Sequence, residues 1–592
     1  MNSPTEQARH FLKNEKAFRL GTLPTETSHP KTATLSHVIA SDIADGLRML
    51  MQVDEDIPAP IANVMAGPEF AALIDALFEA VSTGKRVFLT GCGSTGRLSI
   101  LLEAAWRGCW QELCSVHPDL CDRLPEREST FTSVMAGGDF ALIRSVEGFE
   151  DSTNLGAYQL AQAGVASGDV VIAITEGGET SFVIGTAWEG LRAGAKVFFV
   201  CNNPLDVLRK HVERSREIID EPRITKLDLF TGPMAISGST RMQATTAELL
   251  VVGAAMELAL LKVLEKLLPP QILRQLDIPT RRPQDYLQHF DCLLDQLRRD
   301  GNVKTIAELI QWEETIYRQH GLVTYMTDDF LLDVLTDTTE RAPTFRLPPF
   351  RKCDDTTSPR SWAFVKNPHY DSRQTWSHVL RREPRGIDWP LSVYQSLDVS
   401  AKLIEEEPKL DNSQIWKFLI GNERDASRFE AVDSGLAMIL VGDEIAQHGP
   451  RREEFDREFH RHATSYAKTA AIAVGPSQLD RDAQSLFHVA CDLPASPLRL
   501  WDRLAVKLVL NLMSTATMAR MGRVEGNYMS WVETSNKKLV DRATRLIVQL
   551  AAVDYEKACY ALHEAIDAVR DKQGTASAVA VAVEKLRGDN SQ

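Results

Sequence analysis

The chain has no Cys-x-x-Cys pair, no long uncharged apolar run and no excess of basic residues, and each absence removes a class of protein. Nine cysteines, an odd number without a His/Cys cluster, predict neither a disulfide framework nor a zinc site, and a reducing compartment is the default. A net charge of -15 argues against nucleic acid or an anionic membrane surface as the main partner, while leaving room for a local basic pocket. The opening residues, MNSPTEQARHFLKNEKAF, lack the apolar stretch of a secretory signal. The longest apolar tract, Leu249 to Leu261, follows Glu248 and contains Glu257, which predicts a buried core helix rather than a membrane span. The expectation is a cytoplasmic protein that engages neither membrane nor nucleic acid.

What is present is enough apolar residue for large cores. With 592 residues, 44% of them hydrophobic and 25% charged, the chain should divide into two or more domains. Residues 1 to about 35 are polar and turn-rich, ending in LPTETSHPKT, and read as an extended arm. Helical periodicity covers Leu35 to Val53 and Phe70 to Val81. From Val87 onward, strands (Thr130 to Met135, Asp169 to Ile174, Lys196 to Cys201) alternate with helices (from about Asp139, Leu155 to Ala163, Phe182 to Ala193). Continuous Val/Ile/Phe strands between helices predict a parallel sheet covered on both faces.

A helical region from about 240 to 320, broken at Pro269-Pro270 and Pro279, precedes a second set of short apolar strands: Leu322 to Met326, Trp362 to Lys366, Ile415 to Gly421, Ala437 to Val441 and Ala470 to Val474. An apolar helix from Leu504 to Met521 and an Ala-rich helical cap from Asn536 to about Leu586 end the pattern. The predicted fold is α/β, with two units that are each a parallel sheet flanked by helices and a small helical C-terminal cap. The predicted boundaries are 1–60 (arm and helix), 61–265 (first unit), 266–320 (helical connection), 321–535 (second unit) and 536–592 (cap).

Two loops carry the chemical signal. Val87-Phe88-Leu89 runs into Gly91-Cys92-Gly93-Ser94-Thr95-Gly96 and then a helix beginning near Arg97, the strand, tight turn and helix N-terminus that binds phosphate. Ile174-Thr175-Glu176-Gly177-Gly178-Glu179-Thr180-Ser181 repeats that arrangement after another buried strand. At the carboxyl ends of neighbouring strands of a doubly wound sheet, two such loops form one crevice.

TEGGET resembles the phosphate loop of the sugar isomerase (SIS) domain. With GCGSTGR, SVEGFED (Ser145 to Asp151), SGSTRMQATTAELL (Ser237 to Leu250) and KLVLNLMSTATMARMGRVEGNYM (Lys507 to Met529), the chain resembles the family that contains glucokinase regulatory protein and N-acetylmuramic acid 6-phosphate etherase. The resemblance implies two fused SIS units in one chain, a pseudo-dimer, with a phosphorylated sugar as ligand and neither cofactor nor metal. The ligand-binding residues it implies, together with the loop reading, are Gly93, Ser94, Thr95, Gly96, Arg97, Glu150, Thr175, Glu176, Gly177, Gly178, Glu179, Thr180, Arg241 and Lys507. In the second unit TYMTDDF (Thr324 to Phe330) and IGNERDASRF (Ile420 to Phe429) stand where the loops would recur, and Asp328 and Asp329 would repel a phosphate dianion.

Catalysis in the etherases implies two glutamates, an acid for the departing ether oxygen and a base at the neighbouring carbon, in different environments across one pocket. One matches Glu150. The position expected for the other in the first unit holds Ala105, and Glu103, two residues away, would point elsewhere on the helix. Thr339-Glu340-Arg341-Ala342-Pro343-Thr344-Phe345 in the second unit has the matching spacing, so Glu340 is expected either to reach across to Glu150 or to remain a surface glutamate. Gly177 and Gln243 replace a serine and a lysine of the etherase pattern. Two readings follow: a sugar-phosphate binding regulator whose partner is a hexokinase or glucokinase, and a carbon–oxygen lyase using Glu150 and Glu340.

Overall fold

The computed structural model describes residues 3–589 apart from 147, 276–280, 398, 432, 477–484, 533, 535 and 571–575. The break expected at Pro279 and the Glu147 position of SVEGFED lie outside the described residues. Among the described residues, no single helix is long and apolar enough to cross a membrane.

Two five-stranded parallel sheets organise the chain. The first comprises β1 (Val87–Gly91), β2 (Phe131–Met135), β3 (Val170–Thr175), β4 (Lys196–Cys201) and β5 (Ile224–Asp228), in the order β2-β1-β3-β4-β5. The second comprises β6 (Val323–Met326), β7 (Ala363–Lys366), β8 (Gly435–Val441), β9 (Lys468–Gly475) and β10 (Leu486–Ala490), in the order β7-β6-β8-β9-β10. The two orders are the same, so the units are topological copies. β1, β3, β6 and β8 are buried along their whole length, as a sheet covered by helices requires.

Each sheet is followed by a long buried helix, Gln243–Leu267 in the first unit and Leu500–Arg520 in the second. These two helices touch at Gly253, where an added Cβ would come within 2.7 Å of Leu500 Cδ1. One contiguous apolar cluster therefore runs through both units and the cap. A polar anchor joins the units at another point. Glu103, on the helix Ser94–Val116 that follows β1, accepts hydrogen bonds from Arg382 (3.1 Å) and Arg385 (2.8 and 3.1 Å) of the second unit, and from Arg107 and Ser133 of its own. Asp139 accepts two more from Arg382, at 2.5 and 3.1 Å.

Several sequence expectations need correction. The N-terminal arm begins as a helix, Pro4–Asn14, closed by a Ser3/Glu6 capping box. Phe11 of that helix packs beside His563 of the cap, their rings 6.3 Å apart. Helix 35–53 is divided at Asp42, which leaves helical geometry and caps Ile43–Asp54 by accepting from Asp45 N at 3.0 Å. The segment read as strand Ile415–Gly421 instead ends a short helix, Asn412–Ile415, and crosses the end of the second sheet. There the Phe418 and Ile420 carbonyls accept from Trp376 Nε1 and Asn367 N. The helix from Asp139 is only a 3-10 turn to Leu142.

The strands that went unread, β5 and β10, lie at sheet edges, where mixed exposure breaks the apolar run. Cys114 and Cys121 form a disulfide, against the expectation of none. The remaining seven cysteines are free.

Candidate functional site

β1 delivers the chain into the Gly91–Gly96 turn at the carboxyl edge of the first sheet. The turn is so tight that a Cβ on Gly91 would lie 2.5 Å from the Thr95 carbonyl carbon. Gly93, at φ 58° and ψ -121°, occupies backbone space open essentially to glycine, and leads into the helix that opens at Ser94. Thr95 does not face outward. Its Oγ1 accepts from Cys92 N at 3.0 Å and donates to the Cys92 carbonyl at 2.9 Å, which holds the turn closed from within. A Gly93→Ala substitution would meet no neighbour, so its expected cost is backbone strain alone, about 1–3 kcal/mol, read as a lower unfolding midpoint.

β3 delivers the second loop beside the first. Thr175 Oγ1 donates to Thr180 Oγ1 at 3.0 Å, and Gly178 turns at φ 70°, where Leu208 Cδ1 leaves no space for a Cβ. Glu179 faces the cap: Lys538 donates to its Oε1 at 2.7 Å and Arg214 to its Oε2 at 3.0 Å.

Between these loops lies a cavity of about 190 Å³ whose opposite wall comes from the second unit and the cap. Glu340, Pro343 and Thr344 enter from the end of the helix Leu331–Phe345 that follows β6. Asn536, Lys538 and Arg542 enter from the start of the cap helix Lys537–Ala551 and the residue before it. Asn536 Nδ2 donates to Glu150 Oε2 at 3.2 Å. Arg97, 2% exposed, fixes the junction of the two units: its Nε donates to the Leu142 carbonyl (3.0 Å) and to Thr339 Oγ1 (3.1 Å), while Nη2 has no hydrogen-bond partner. Glu176 Oε1 is likewise buried without a partner. Two orphaned polar atoms in one buried wall are costly unless something else satisfies them.

Burial controls the acid–base character of this wall. It raises the carboxyl of Glu150, with Asp151 and Glu179 adding to the rise and Lys538 opposing it. It raises Glu340 too, against the pull of Arg97 and Arg241. Glu176 is pushed up to about 7, chiefly by burial. Glu179 goes the other way: Lys538 and Arg214 outweigh burial and hold it below the ordinary carboxylate range. The cavity thus places three carboxyls that exchange protons nearer neutrality next to one that stays ionised.

Residues 69–188, which hold β1 to β3 and the two loops at this cavity, match the family described as "Glucokinase regulatory protein N-terminal SIS domain". That stretch is about a fifth of the chain. Among curated relatives of the chain, an N-acetylmuramic acid 6-phosphate etherase of Rippkaea orientalis is 32% identical over 228 residues, 38% of this chain and 64% of the relative. One from Bacillus subtilis is 28% identical over 246 residues, 42% of this chain and 71% of the relative. The chain thus spans just under two thirds of the first relative's length. Among solved structures, the C-terminal domain of glucosamine-fructose-6-phosphate aminotransferase from Francisella tularensis is 11% identical, with 80% of this chain and 96% of that chain covered at a TM-score of 0.41.

Of the residues picked from the sequence, Gly93, Ser94, Arg97, Glu150, Glu176, Thr180, Arg241 and Glu340 line this cavity together. Thr95, Gly96, Thr175, Gly177, Gly178 and Glu179 shape its loops without lining it. Glu340 is 5% exposed, and is therefore not a surface glutamate. Lys507 lies behind the wall. Its Nζ donates to the Arg241 and Met242 carbonyls, Thr246 Oγ1 and Asn511 Oδ1 at 2.9–3.2 Å, and burial lowers its pKa to about 8. Arg241 is held in turn by Asp337, Ser514 and Thr515 of the second unit. The cap residues Asn536 and Lys538 were missed, because nothing in the Ser-Asn-Lys-Lys run before an amphipathic helix distinguishes a cavity-lining residue from an N-cap and a solvated lysine.

Proposed function

We propose that this chain binds a phosphorylated amino sugar in the cavity between its two units and cleaves its lactyl ether, with Glu150 and Glu340 as the acid–base pair. The observation that carries the reading is that these two carboxyls, contributed by different units, line one cavity and are both raised by burial. A raised carboxyl can hold a proton for a leaving oxygen, and an ionised partner can accept one from carbon. The base removes the proton from the carbon next to the ether carbon. Its electron pair forms the double bond as the C–O bond breaks, and the acid protonates the departing oxygen; water added across the double bond completes the hydrolysis. Gly93 and Ser94 at the helix N-terminus, with Arg97 beside them, suit the phosphate. The etherase relatives support the same reaction class.

The test is lactate release from N-acetylmuramic acid 6-phosphate. Turnover that disappears in the Glu150→Gln/Glu340→Gln double variant supports the lyase; a wild-type rate no higher than that of the double variant eliminates it.

One observation favours a second reading, binding without turnover: the matched family is a domain of a regulatory protein. In that case fructose 6-phosphate should bind saturably and alter inhibition of a hexokinase by this protein, and no effect on any hexokinase tried would count against regulation.

A further inference from the structure

The two units are topological copies, so the cavity just described has a counterpart, and the structure contains it. The step from Gly91 at the end of β1 to Ala105 equals the step from Met326 at the end of β6 to Glu340. Ala105 lines a second cavity, of about 350 Å³, across from the loop that follows β6. Three parts of the wall correspond. Asp328 and Asp329 stand where Gly93 and Ser94 stand in the first site, and Arg499 precedes the helix Leu500–Arg520 as Arg241 precedes Gln243–Leu267. The helix from the opposite unit brings Ala105 instead of Glu340.

The chemistry has changed while the hollow has persisted. Asp328 stays ionised: against burial, His369, His378 and Arg451 hold it far below the usual carboxylate range. Arg451 takes both its oxygens at 2.7 and 2.8 Å. Asp329 lies 3.5 Å from Arg381 and 3.9 Å from Arg499, longer than the 2.7–2.9 Å of a tight charge-assisted bond. Arg499 also bonds Asp502 at 3.2 Å and stacks over Phe330 at 4.5 Å; Arg503 is paired with Asp333 at 2.6 Å. Arg499 Nη2 is buried without a hydrogen-bond partner, and His378 Nε2 faces Asp328 Oδ1 only at 3.7 Å. Carboxylates (Glu112, Asp328, Asp329) and guanidiniums (Arg381, Arg499, Arg503) share the wall.

This mixture of charges decides the ligand class. A phosphate would meet Asp328 and Asp329. A cation would meet Arg381 and Arg499; and although Asp328, Asp329 and His378 each hold one ligand atom within 4.8 Å of the others, Asp328 is already committed to Arg451. A hydroxyl group donates and accepts at once, so it can bridge Asp329 to a neighbouring guanidinium. We propose that this second cavity binds an uncharged sugar, with Asp329, Arg381 and Arg499 bridged by its hydroxyls. The hollow continues past Glu112, Asp329 and Arg499 into a neighbouring one of about 830 Å³, which leaves room for a second sugar ring.

The test uses the full chain and three probes, N-acetylglucosamine, its β-1,4-linked dimer and N-acetylglucosamine 6-phosphate, followed by titration calorimetry. The expected result is binding of the uncharged sugars with a Kd of about 1 mM or tighter, weakened about tenfold or more by Asp329→Asn and by Arg381→Ala, and unaltered by Ser94→Phe, which fills space in the first cavity. Asp329→Asn, nearly isosteric, guards against an unfolded Arg381→Ala variant. The proposal is overturned if no uncharged sugar binds at 50 times that concentration, if Ser94→Phe abolishes the binding, or if only the phosphorylated probe responds to Arg381→Ala. Because its readout is binding at a separate cavity, it can fail while lactate release succeeds, and the reverse.

Discussion

Glu340→Gln should lower lactate release from N-acetylmuramic acid 6-phosphate by about 10²–10⁴-fold, the range set by losing a positioned acid or base. The substitution keeps the volume and removes only the titrating proton. Among the described residues, Glu340 makes no side-chain hydrogen bond that anchors the junction; Arg97 and Arg241, which do, bond Thr339, Asp337, Ser514 and Thr515 instead. The phosphosugar should therefore still bind, with the loss falling on kcat. The pH profile adds a second readout. Burial raises both Glu150 and Glu340, so activity should climb as the base ionises and fall as the acid loses its proton, with both limbs above the ordinary carboxylate range. Glu340→Gln should erase one limb of whatever activity remains. An undiminished rate with both limbs intact would remove Glu340 from the chemistry.

Arg382→Ala should cost about 3–5 kcal/mol of stability, because it leaves two buried carboxylates, Glu103 and Asp139, short of their counter-charge. Both acceptors belong to the first unit and Arg382 to the second, so the loss weakens the joint between them, and a single urea transition should separate into two. Acid titration supplies a check with a definite sign. Against burial, Arg382 and Arg385 hold Glu103 far below its unfolded pKa, so its contribution is fully present above about pH 4.3 and is lost as pH falls through the folded value. The variant should show a shallower acid dependence below pH 4 than the parent. Equal urea midpoints for the two proteins would mean that Arg385 and Arg107 suffice for Glu103.

The strong periodic elements were legible from the residues. β3 and β4 are continuous apolar runs between helices, and the glycines of the β1 turn mark backbone that only glycine tolerates. Glu340 was legible because its spacing from a strand end repeats that of Ala105. What escaped has physical reasons. The edge strands β5 and β10 mix buried with partly exposed residues over five positions, too short for a pattern to rise above a loop. Ile415 to Gly421 is apolar because it is buried, and burial alone does not distinguish a strand from a chain crossing the end of a sheet. Thr95 and Thr175 look like ligand donors in sequence, yet each spends its hydroxyl inside its own loop, a choice made by tertiary geometry. Cys114 and Cys121 sit on either side of a helix–helix corner, and only the corner brings them together.

The cap's attachment also has a temporal side. Glu26, in the strap that follows the N-terminal helix, is 4% exposed and clasped by Arg542 and Arg545 of the cap, its guanidinium partners at 2.6–2.9 Å. Glu26 and Arg542 are 516 residues apart. At about 5–20 residues per second, roughly half a minute to two minutes of synthesis separate the strap's emergence from that of the arginines that bind it. Throughout that interval the carboxylate has no clasp and Glu150 has no Asn536 beside it. A chain stalled or cleaved before the cap would carry a folded first sheet with its turn intact, and an unfinished cavity. Completion of the site thus waits on the emergence of the cap helix Lys537–Ala551.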